Sequence, residues 1–318
     1  MTQQSQPERV PLGRTDISIT PMGTGAWAWG DRLFWGYGSG YGEGDVEAAF
    51  QASLEAGINF FDTAEVYGFG RSERLLGRFI RAAGQPAVVA TKFMPLPWRL
   101  GRRGLLNALR KSLARLGMER VDLYQIHFPR PWASIDTLMD ALADAIEAGL
   151  TRAVGVSNYN LEQMQRAHEA LARRGVPLAS NQVEYSLLRR QPERTGLLAA
   201  CLEMGVTLIA YSPLAQGLLT GKYTPDNPPR GWMRRFMRRA ELAQVQPLVS
   251  RLRETGEAHG GKAPGQVALN WVICKGAVPI PGAKNARQAE QNAGALGWRL
   301  SDGEIAALDA ISNAVQRS

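Results

Sequence analysis

Apolar residues along this chain fall into two rhythms that take turns. Short dense runs, the mark of buried strands, occur at Ile19–Trp27, Asn59–Asp62, Ala87–Lys92, Val121–His127, Ala153–Ser157, Leu178–Val183, Thr207–Tyr211 and Ala277–Ile280. Between them, apolar positions recur at three- and four-residue steps, which predicts amphipathic helices. Those stretches are Val46–Ala56, Ser72–Arg81, Leu105–Leu116, Ile135–Ala148, Leu161–Arg174, Thr195–Met204, Ala240–His259, Pro264–Lys275, Ala286–Leu296 and Asp302–Ile311.

Alternation this regular argues for an α/β fold with a parallel sheet. Eight such units argue for a closed (β/α)8 TIM barrel. An open doubly wound sheet would want Gly-x-Gly-x-x-Gly after an early strand, and Gly23-Thr24-Gly25 does not continue into that pattern. Ahead of the barrel, Val10–Thr20 folds around Gly13-Arg14-Thr15-Asp16 as an expected N-terminal hairpin. Leu214–Arg239 reads as a long insertion after the seventh strand. With no repeat and no linker-like stretch, residues 1–318 are expected to form a single barrel domain.

Polar residues cluster where the apolar runs stop. The second run ends in Asp62, the third in Thr91-Lys92, the fourth in Gln125-Ile126-His127, the fifth in Ser157-Asn158, the sixth in Asn181-Gln182 and the seventh in Tyr211-Ser212. In a barrel these ends share one rim, the rim where ligands bind. Tyr67 follows Asp62 closely, in a loop closed by Gly68. Taken singly, each residue has an ordinary structural reading: Asp62 as a helix cap, Tyr67 as a loop wall, a histidine as a satisfied core residue. His168 and His259, in helical stretches, are read in that last way. A lysine that closes a buried strand needs a carboxylate partner, and Asp62 on the adjacent strand supplies one. A cation beside Tyr67 is expected to lower the phenol from its usual value of about 10, which suits a proton donor.

Bulk composition narrows the partners. The 318 residues carry a formal net charge of +8, which suits an anionic partner such as a phosphorylated cofactor. Basic residues are dispersed except at Arg230–Arg239, which holds five arginines. No zinc-finger spacing or aromatic-rich single-strand pattern is present, so nucleic acid is not the expected partner. The polar start 1–9 lacks the apolar core of a signal peptide, and no window is apolar enough to span a bilayer. Cys201 and Cys274 sit in helical patterns without metal spacing, so no metal is expected and a reduced, cytoplasmic setting is. The oligomeric state is left open, and a monomer is compatible with everything above.

Five stretches then carry a resemblance. Phe61-Asp62-Thr63-Ala64-Glu65-Val66-Tyr67-Gly68, Ala90-Thr91-Lys92, Gln125-Ile126-His127, Gly155-Val156-Ser157-Asn158-Tyr159 and Ile280-Pro281-Gly282 resemble the signatures of the aldo-keto reductase superfamily, in that family's order. The likeness covers nearly the whole chain and is nearest to the plant and cyanobacterial branch. Tyr211–Tyr223 also resembles the potassium-channel β-subunit branch. The resemblance implies a (β/α)8 barrel that uses NADPH/NADP+ to reduce aldehydes and ketones, with a small carbonyl compound as partner.

Carried onto this sequence, the resemblance makes Tyr67 the general acid, Lys92 its tuning cation, Asp62 the holder of Lys92, and His127 the group that orients the carbonyl. It places Ser157, Asn158 and Gln182 on the nicotinamide carboxamide and Tyr211 against the nicotinamide ring. Ser212, Pro213, Leu214, Gly217, Leu219 and Lys222 fall on the pyrophosphate loop. Gly282 and Lys284, with Arg287, open a helix whose N-terminus would hold phosphate; Gln288, Gln291 and Asn292 fall at the adenine side. Gln291 departs from the family, which usually has Glu there. At least one of Arg230, Arg234 and Arg235 is expected to reach the 2′-phosphate from the insertion, with Lys284 and Arg287 adding charge for it.

The substrate wall is expected among loop aromatics, chiefly Trp27, Trp29, Trp98 and Phe128, and their abundance suggests an aromatic, pyridoxal-like aldehyde. Two other functions compete. A cofactor-holding regulatory subunit with weak reductase activity is disfavoured by His127, which the channel branch lacks. A Schiff-base lyase using Lys92 is disfavoured by the phosphate-type loops.

Overall fold

The structure, a computed structural model, describes residues 8–99, 101–229 and 239–317. The hairpin is present: β1 (Val10–Pro11) pairs antiparallel with β2 (Ser18–Ile19). Eight parallel strands then form one sheet among the described residues, in simple sequence order. They are β3 (Thr24–Gly25), β4 (Phe60–Asp62), β5 (Val88–Phe93), β6 (Val121–Ile126), β7 (Thr151–Ser157), β8 (Leu178–Glu184), β9 (Thr207–Tyr211) and β10 (Val278–Pro279). A parallel bridge between Gly25 and Gly282 joins the first strand to the last and closes the barrel.

The helices follow the strands as the alternation predicts. They are α1 (Glu43–Glu55), α2 (Arg71–Ala83), α3 (Gly101–Leu116), α4 (Ile135–Glu147), α5 (Leu161–Ala172), α6 (Gln191–Arg194), α7 (Leu197–Met204), α8 (Arg239–Ala258), α9 (Pro264–Cys274), α10 (Ala286–Ala293) and α11 (Asp302–Arg317). Local chemistry sets several starts. Asn160 and Gln163 form a reciprocal capping box at α5, and Asn285 caps α10 through the Gln288 N–H.

The first barrel strand is far shorter than the expected Ile19–Trp27. Ile19 belongs to the hairpin, and the chain turns before Thr24. Asn59 enforces that turn: its Oδ1 accepts from the Thr20 N–H at 2.8 Å, while the Thr20 hydroxyl donates to the Met22 carbonyl at 2.7 Å. His168 and His259 are also not core residues. His168 is half-buried, and His259 lies just beyond α8, half-buried and 2.8 Å from Glu304.

Two apolar layers hold the barrel. Outside it, the helices pack on the strands around Phe50, Phe61, Phe79, Val154 and Trp271. Inside it, Phe60, Ala90, Leu123, Ala153, Ile209 and Val278 form a floor, and Leu12, Ile17 and Ile19 of the hairpin plug it from below. Side chains alternate along a strand, so the positions two residues beyond this floor also point inward. Those positions are Asp62, Lys92, Gln125, Gly155, Tyr211 and the apolar Ile280.

Closure depends on backbone contact. The Gly23 N–H donates to the Pro279 carbonyl at 2.9 Å and the Gly25 N–H to the Pro281 carbonyl at 3.1 Å. A Cβ on Gly25 would lie 2.9 Å from the Ile280 carbonyl oxygen, so the seam has no room for a side chain. Gly25→Ala is expected to destabilise the fold by about 1–3 kcal/mol, read as a lower urea midpoint. An unchanged midpoint would show that the seam has slack.

Candidate active site

Inside the rim the barrel is crossed by a buried polar network. Lys92 is 0% exposed and Asp62 2%. The Lys92 ammonium donates to Asp62 Oδ2, to the Thr63 carbonyl at 2.9 Å and to the Tyr67 hydroxyl at 3.4 Å. The other oxygen of Asp62 accepts from Gln182 Nε2 at 2.8 Å and from Gln125 Nε2 at 3.4 Å. Ser180 in turn donates to Gln125 Oε1 at 3.2 Å. Four strands thereby converge on one carboxylate, and its lone pairs are used as a buried anion requires.

Gln125 lay inside one of the five motif stretches without being given a role, and Ser180 was passed over. The signal was present: both follow the inward alternation, Gln125 two residues before His127 and Ser180 two before Gln182. Gly155 makes room for them, since a Cβ there would meet the Ser180 hydroxyl at 2.2 Å.

Electrostatics differ from the sequence expectation in one respect. Burial, and then the Asp62 carboxylate, raise the Tyr67 phenol well above its ordinary value of 10.0. The Lys92 ammonium, 3.4 Å from the hydroxyl, does not reverse that direction. The Lys92 ammonium is itself pushed down by burial, against the pull of Asp62 and Glu73. His127 is held well below 6.5 by burial, then by the Lys92 and Arg130 charges. At neutral pH the site therefore presents a protonated phenol and an uncharged imidazole.

The two groups face each other edge to face, ring centroids 5.7 Å apart. Tyr67 enters a 3₁₀ turn, Tyr67–Gly70, in which Gly68 has φ 54° and a Cβ would meet the Gly30 carbonyl at 2.5 Å. That close approach sets how the phenol hangs over the barrel mouth. Outside it, Glu65 pairs with Arg99 and accepts from the Met94 N–H at 2.7 Å, which ties the Tyr67 loop to the rim of β5. Asn158 Nδ2 donates to the His127 carbonyl at 3.0 Å, fixing the histidine backbone.

The expected carboxamide holders are bonded to one another. The Ser157 hydroxyl donates to the Gln182 carbonyl at 2.8 Å, Asn158 Nδ2 to Ser157 Oγ at 3.0 Å, and the Tyr211 hydroxyl to Asn158 Oδ1 at 3.0 Å. The described residues contain five non-glycine residues at positive φ: Phe69, Asn158, Ser212, Ala215 and Gln216. All five lie in loops at this rim, as strained backbone at functional sites tends to. Ser212 through Gly217 curl tightly, and a Cβ on Gly217 would meet Lys222 Cε at 2.8 Å, so glycine lets the lysine lie against the curl. Pro213 is buried and Leu214 half-buried. Leu219 is 0% exposed and packs in the core, so its side chain is turned away from any groove.

On the last βα loop, Lys284 donates to the Trp35 carbonyl at 3.2 Å and lies over the Trp35 and Tyr41 rings. Burial and the nearby Lys222 charge lower its pKa, opposed by Asp31. Neither lysine forms an ion pair among the described residues. Arg287 and Gln291 are exposed, Gln288 Oε1 accepts from the Lys284 N–H at 2.9 Å, and Asn292 Nδ2 reaches the Gly282 carbonyl at 3.4 Å. Arg230 and the arginines through 238 lie outside the described residues.

The aromatic wall divides. Trp27 stacks on Tyr67 with centroids 6.0 Å apart and on Phe34 at 4.7 Å, and Phe128 stacks on His127 at 4.9 Å. Trp98 stands 78% exposed on the turn Pro97–Arg99. Trp29, expected on the wall, is 0% exposed: it packs on Phe50, Phe61 and Phe79 and donates to the Ala283 carbonyl at 2.8 Å. The turn that bonds the Trp29 N–H to the Ala26 carbonyl sends the two tryptophans to opposite sides. A cleft of about 680 Å3 between α2 and α3, lined largely by arginines, contains none of the rim residues.

The model of the Aldo/keto reductase family matches residues 21–313. The chain belongs to the aldo/keto reductase family. Among aldo/keto reductase relatives, it is 44% identical over 315 residues to the chloroplastic pyridoxal reductase of Arabidopsis thaliana, covering 95% of this chain and 85% of that one. It is 32% identical over 288 residues to the L-glyceraldehyde 3-phosphate reductase of Escherichia coli, covering 82% of each. The fold superposes on the glycerol dehydrogenase of Gluconobacter oxydans with a TM-score of 0.84 at 28% identity, covering 99% and 98%. An aldo/keto reductase from Klebsiella pneumoniae, solved with NADP and acetate, gives a TM-score of 0.76 at 28% identity, covering 95% and 96%. The chain is thus an oxidoreductase on a (β/α)8 barrel. Its described residues contain no helix long and apolar enough to cross a membrane and no metal-binding cluster of three or more His, Cys, Asp or Glu.

Lys92→Met would strand the Asp62 charge in the barrel. It is expected to cost about 3–5 kcal/mol of stability, and the double variant with Asp62→Asn to recover part of that. Equal denaturation midpoints for the single variant and the parent would show that the pair is not held as an ion pair.

Proposed function

We propose that this enzyme reduces aldehydes or ketones to alcohols with NADPH, using Tyr67 as the proton donor. The observation that carries this reading is the Tyr67 hydroxyl, 3.4 Å from an ammonium that is itself paired with a buried carboxylate, across from an uncharged histidine. A nicotinamide cofactor held at this rim would supply the hydride for the carbonyl carbon. The protein supplies everything that happens at the oxygen. Neutral His127 donates a hydrogen bond to the carbonyl oxygen and sets its direction. Tyr67 gives its proton to that oxygen as negative charge develops there. Lys92 then stabilises the phenolate left behind, and Asp62, held by Gln125 and Gln182, keeps Lys92 charged and in place. A raised phenol pKa keeps the donor loaded, and Lys92 lowers the cost of unloading it.

The cofactor site fits the residues present. Ser157, Asn158 and Gln182 carry amide and hydroxyl groups that can exchange their mutual bonds for a carboxamide, and Tyr211 offers a ring beside them. The strained curl at 212–217 brings main chain to a concave turn of the kind that receives phosphate, with Lys222 and Lys284 uncompensated nearby. Those two cations favour a cofactor with the extra phosphate. The aromatic rim and the likeness to a pyridoxal reductase together support an aromatic, pyridoxal-like aldehyde as substrate.

Tyr67→Phe is expected to lower the reduction rate by about a thousandfold or more and leave NADPH binding within a fewfold, by fluorescence titration. Retention of most turnover, with a primary deuterium isotope effect showing hydride transfer to be rate-limiting, would remove Tyr67 from the role. Lys284→Ala is expected to weaken NADPH about tenfold or more, since a charge-assisted contact is worth about 1.5–3 kcal/mol. NADH affinity should change little, and equal losses would place Lys284 away from the 2′-phosphate. The pH profile follows from the shifts. Tyr67 keeps its proton to above 10.0 and His127 stays neutral down to well below 6.5. Reduction measured from about pH 7 to 9 should therefore be flat. A limb centred near pH 7 in single-turnover rates would contradict an uncharged His127 as the orienting group.

A further inference from the structure

Two arginines converge on Met94 at the mouth of the barrel, and their charges are treated differently. Arg99 donates to the Met94 carbonyl at 2.8 and 3.1 Å and is paired with Glu65. Arg130 reaches only the Met94 sulfur, at 3.9 Å. A thioether is a weak acceptor, so this contact does little for a guanidinium. Arg130 forms no ion pair among the described residues, and its buried Nε has no hydrogen-bond partner.

Its position is nonetheless fixed. The guanidinium lies over Phe128 with its carbon 5.3 Å from the ring centroid, and over Trp132 at 5.6 Å. Trp132 is anchored in turn by its indole N–H, which donates to the Pro95 carbonyl at 3.2 Å. Phe128 stacks flat on His127, centroids 4.9 Å apart with 13° between planes. Arg130 and His127 therefore share the Phe128 ring as a neighbour, and the Arg130 charge helps to keep His127 neutral. A half-buried cation with no acid beside it is open to an anionic ligand, and a planar fork held against two rings is pre-organised for a carboxylate or phosphate.

We infer that Arg130 is the binding site for an anionic substituent of the substrate, so that the enzyme favours carbonyl compounds bearing a carboxylate or phosphate a ring's width from the reacting carbon. The assignment rests on the carbonyl-reductase reading of Tyr67 and His127. It adds a recognition element to that reading and moves no proton or electron. Phe128 serves both parts, stacking on His127 and carrying the guanidinium over its ring. The anion then takes the place that Glu65 takes for Arg99.

The test compares 4-carboxybenzaldehyde with its neutral analogue methyl 4-formylbenzoate, by NADPH absorbance, in the parent enzyme and in Arg130→Gln and Arg130→Lys. The parent should favour the carboxylate in kcat/KM by about tenfold or more, the difference lying mainly in KM. Arg130→Gln should bring the ratio to about one, and Arg130→Lys should restore part of it. Benzoate binding, measured by calorimetry in parent and Arg130→Gln, tests the anion site without any turnover, and should weaken about tenfold in the variant. Reduction of both aldehydes with no carboxylate preference, or a preference that survives Arg130→Gln, would overturn the Arg130 assignment and leave the reductase reading standing. If neither aldehyde is reduced, benzoate decides: arginine-dependent binding upholds the anion site and the reductase reading fails, whereas equal binding to parent and variant overturns Arg130 as well.

Discussion

One buried ion pair organises the interior of this barrel. Lys92 and Asp62 sit where a helix-wrapped barrel is least able to tolerate charge, and each is almost wholly shielded from water. Such a pair is stable only if every remaining donor and acceptor is matched. The matching draws in Gln125, Gln182, Ser180 and the Thr63 carbonyl from the surrounding strands. The registers that allow it are set elsewhere, by the floor of apolar residues below and by the glycine seam between Gly25 and Gly282. Stability of the floor and placement of the polar layer are thus one problem.

The rim uses the opposite strategy. Backbone conformations that most residues avoid are collected there, at Phe69, Asn158, Ser212, Ala215 and Gln216. Their cost is borne because the strands and helices beneath are well packed. What they provide is main chain and short polar side chains facing one mouth. The cations at that mouth are divided in the same spirit. Lys92 and Arg99 are neutralised by acids of the protein, whereas Lys222, Lys284 and Arg130 are not. Uncompensated cations gathered around a cleft favour ligands that bring their own negative charge.

Burial acts in opposite directions on the Tyr67 phenol and the His127 imidazole. A phenol buried beside a carboxylate is hard to ionise in the resting site, and that keeps a proton on it. The same burial with two cations nearby prevents the histidine from taking a proton. Two titratable groups in contact are thereby pushed apart, the phenol towards its protonated form and the imidazole towards its neutral one, as the proposed reduction requires.

Much of this was legible in the chain alone. Strand–helix alternation dictated the barrel, because buried parallel strands and amphipathic helices write different periods. Asp62, Lys92 and His127 could be singled out because polar residues that close apolar runs are costly without a purpose. Tyr67 drew notice as a phenol just past one of those ends with a lysine expected beside it, and again through the resemblance. Tertiary structure decided what depends on direction and distance. Period-two alternation does not say which partner an inward side chain meets, so the clamp by Gln125 and Ser180 emerged only with the strand register. A sequence shows that Trp27 and Trp29 are close neighbours, but the turn at Ala26 put one over Tyr67 and the other in the core. Charge type alone suggested that Lys92 would ease the ionisation of Tyr67; the fold buried the phenol close to Asp62, and both effects raise it instead. Arg130 is one arginine among many in the sequence, and only packing shows that its charge is unpaired, because pairing is a property of three-dimensional proximity.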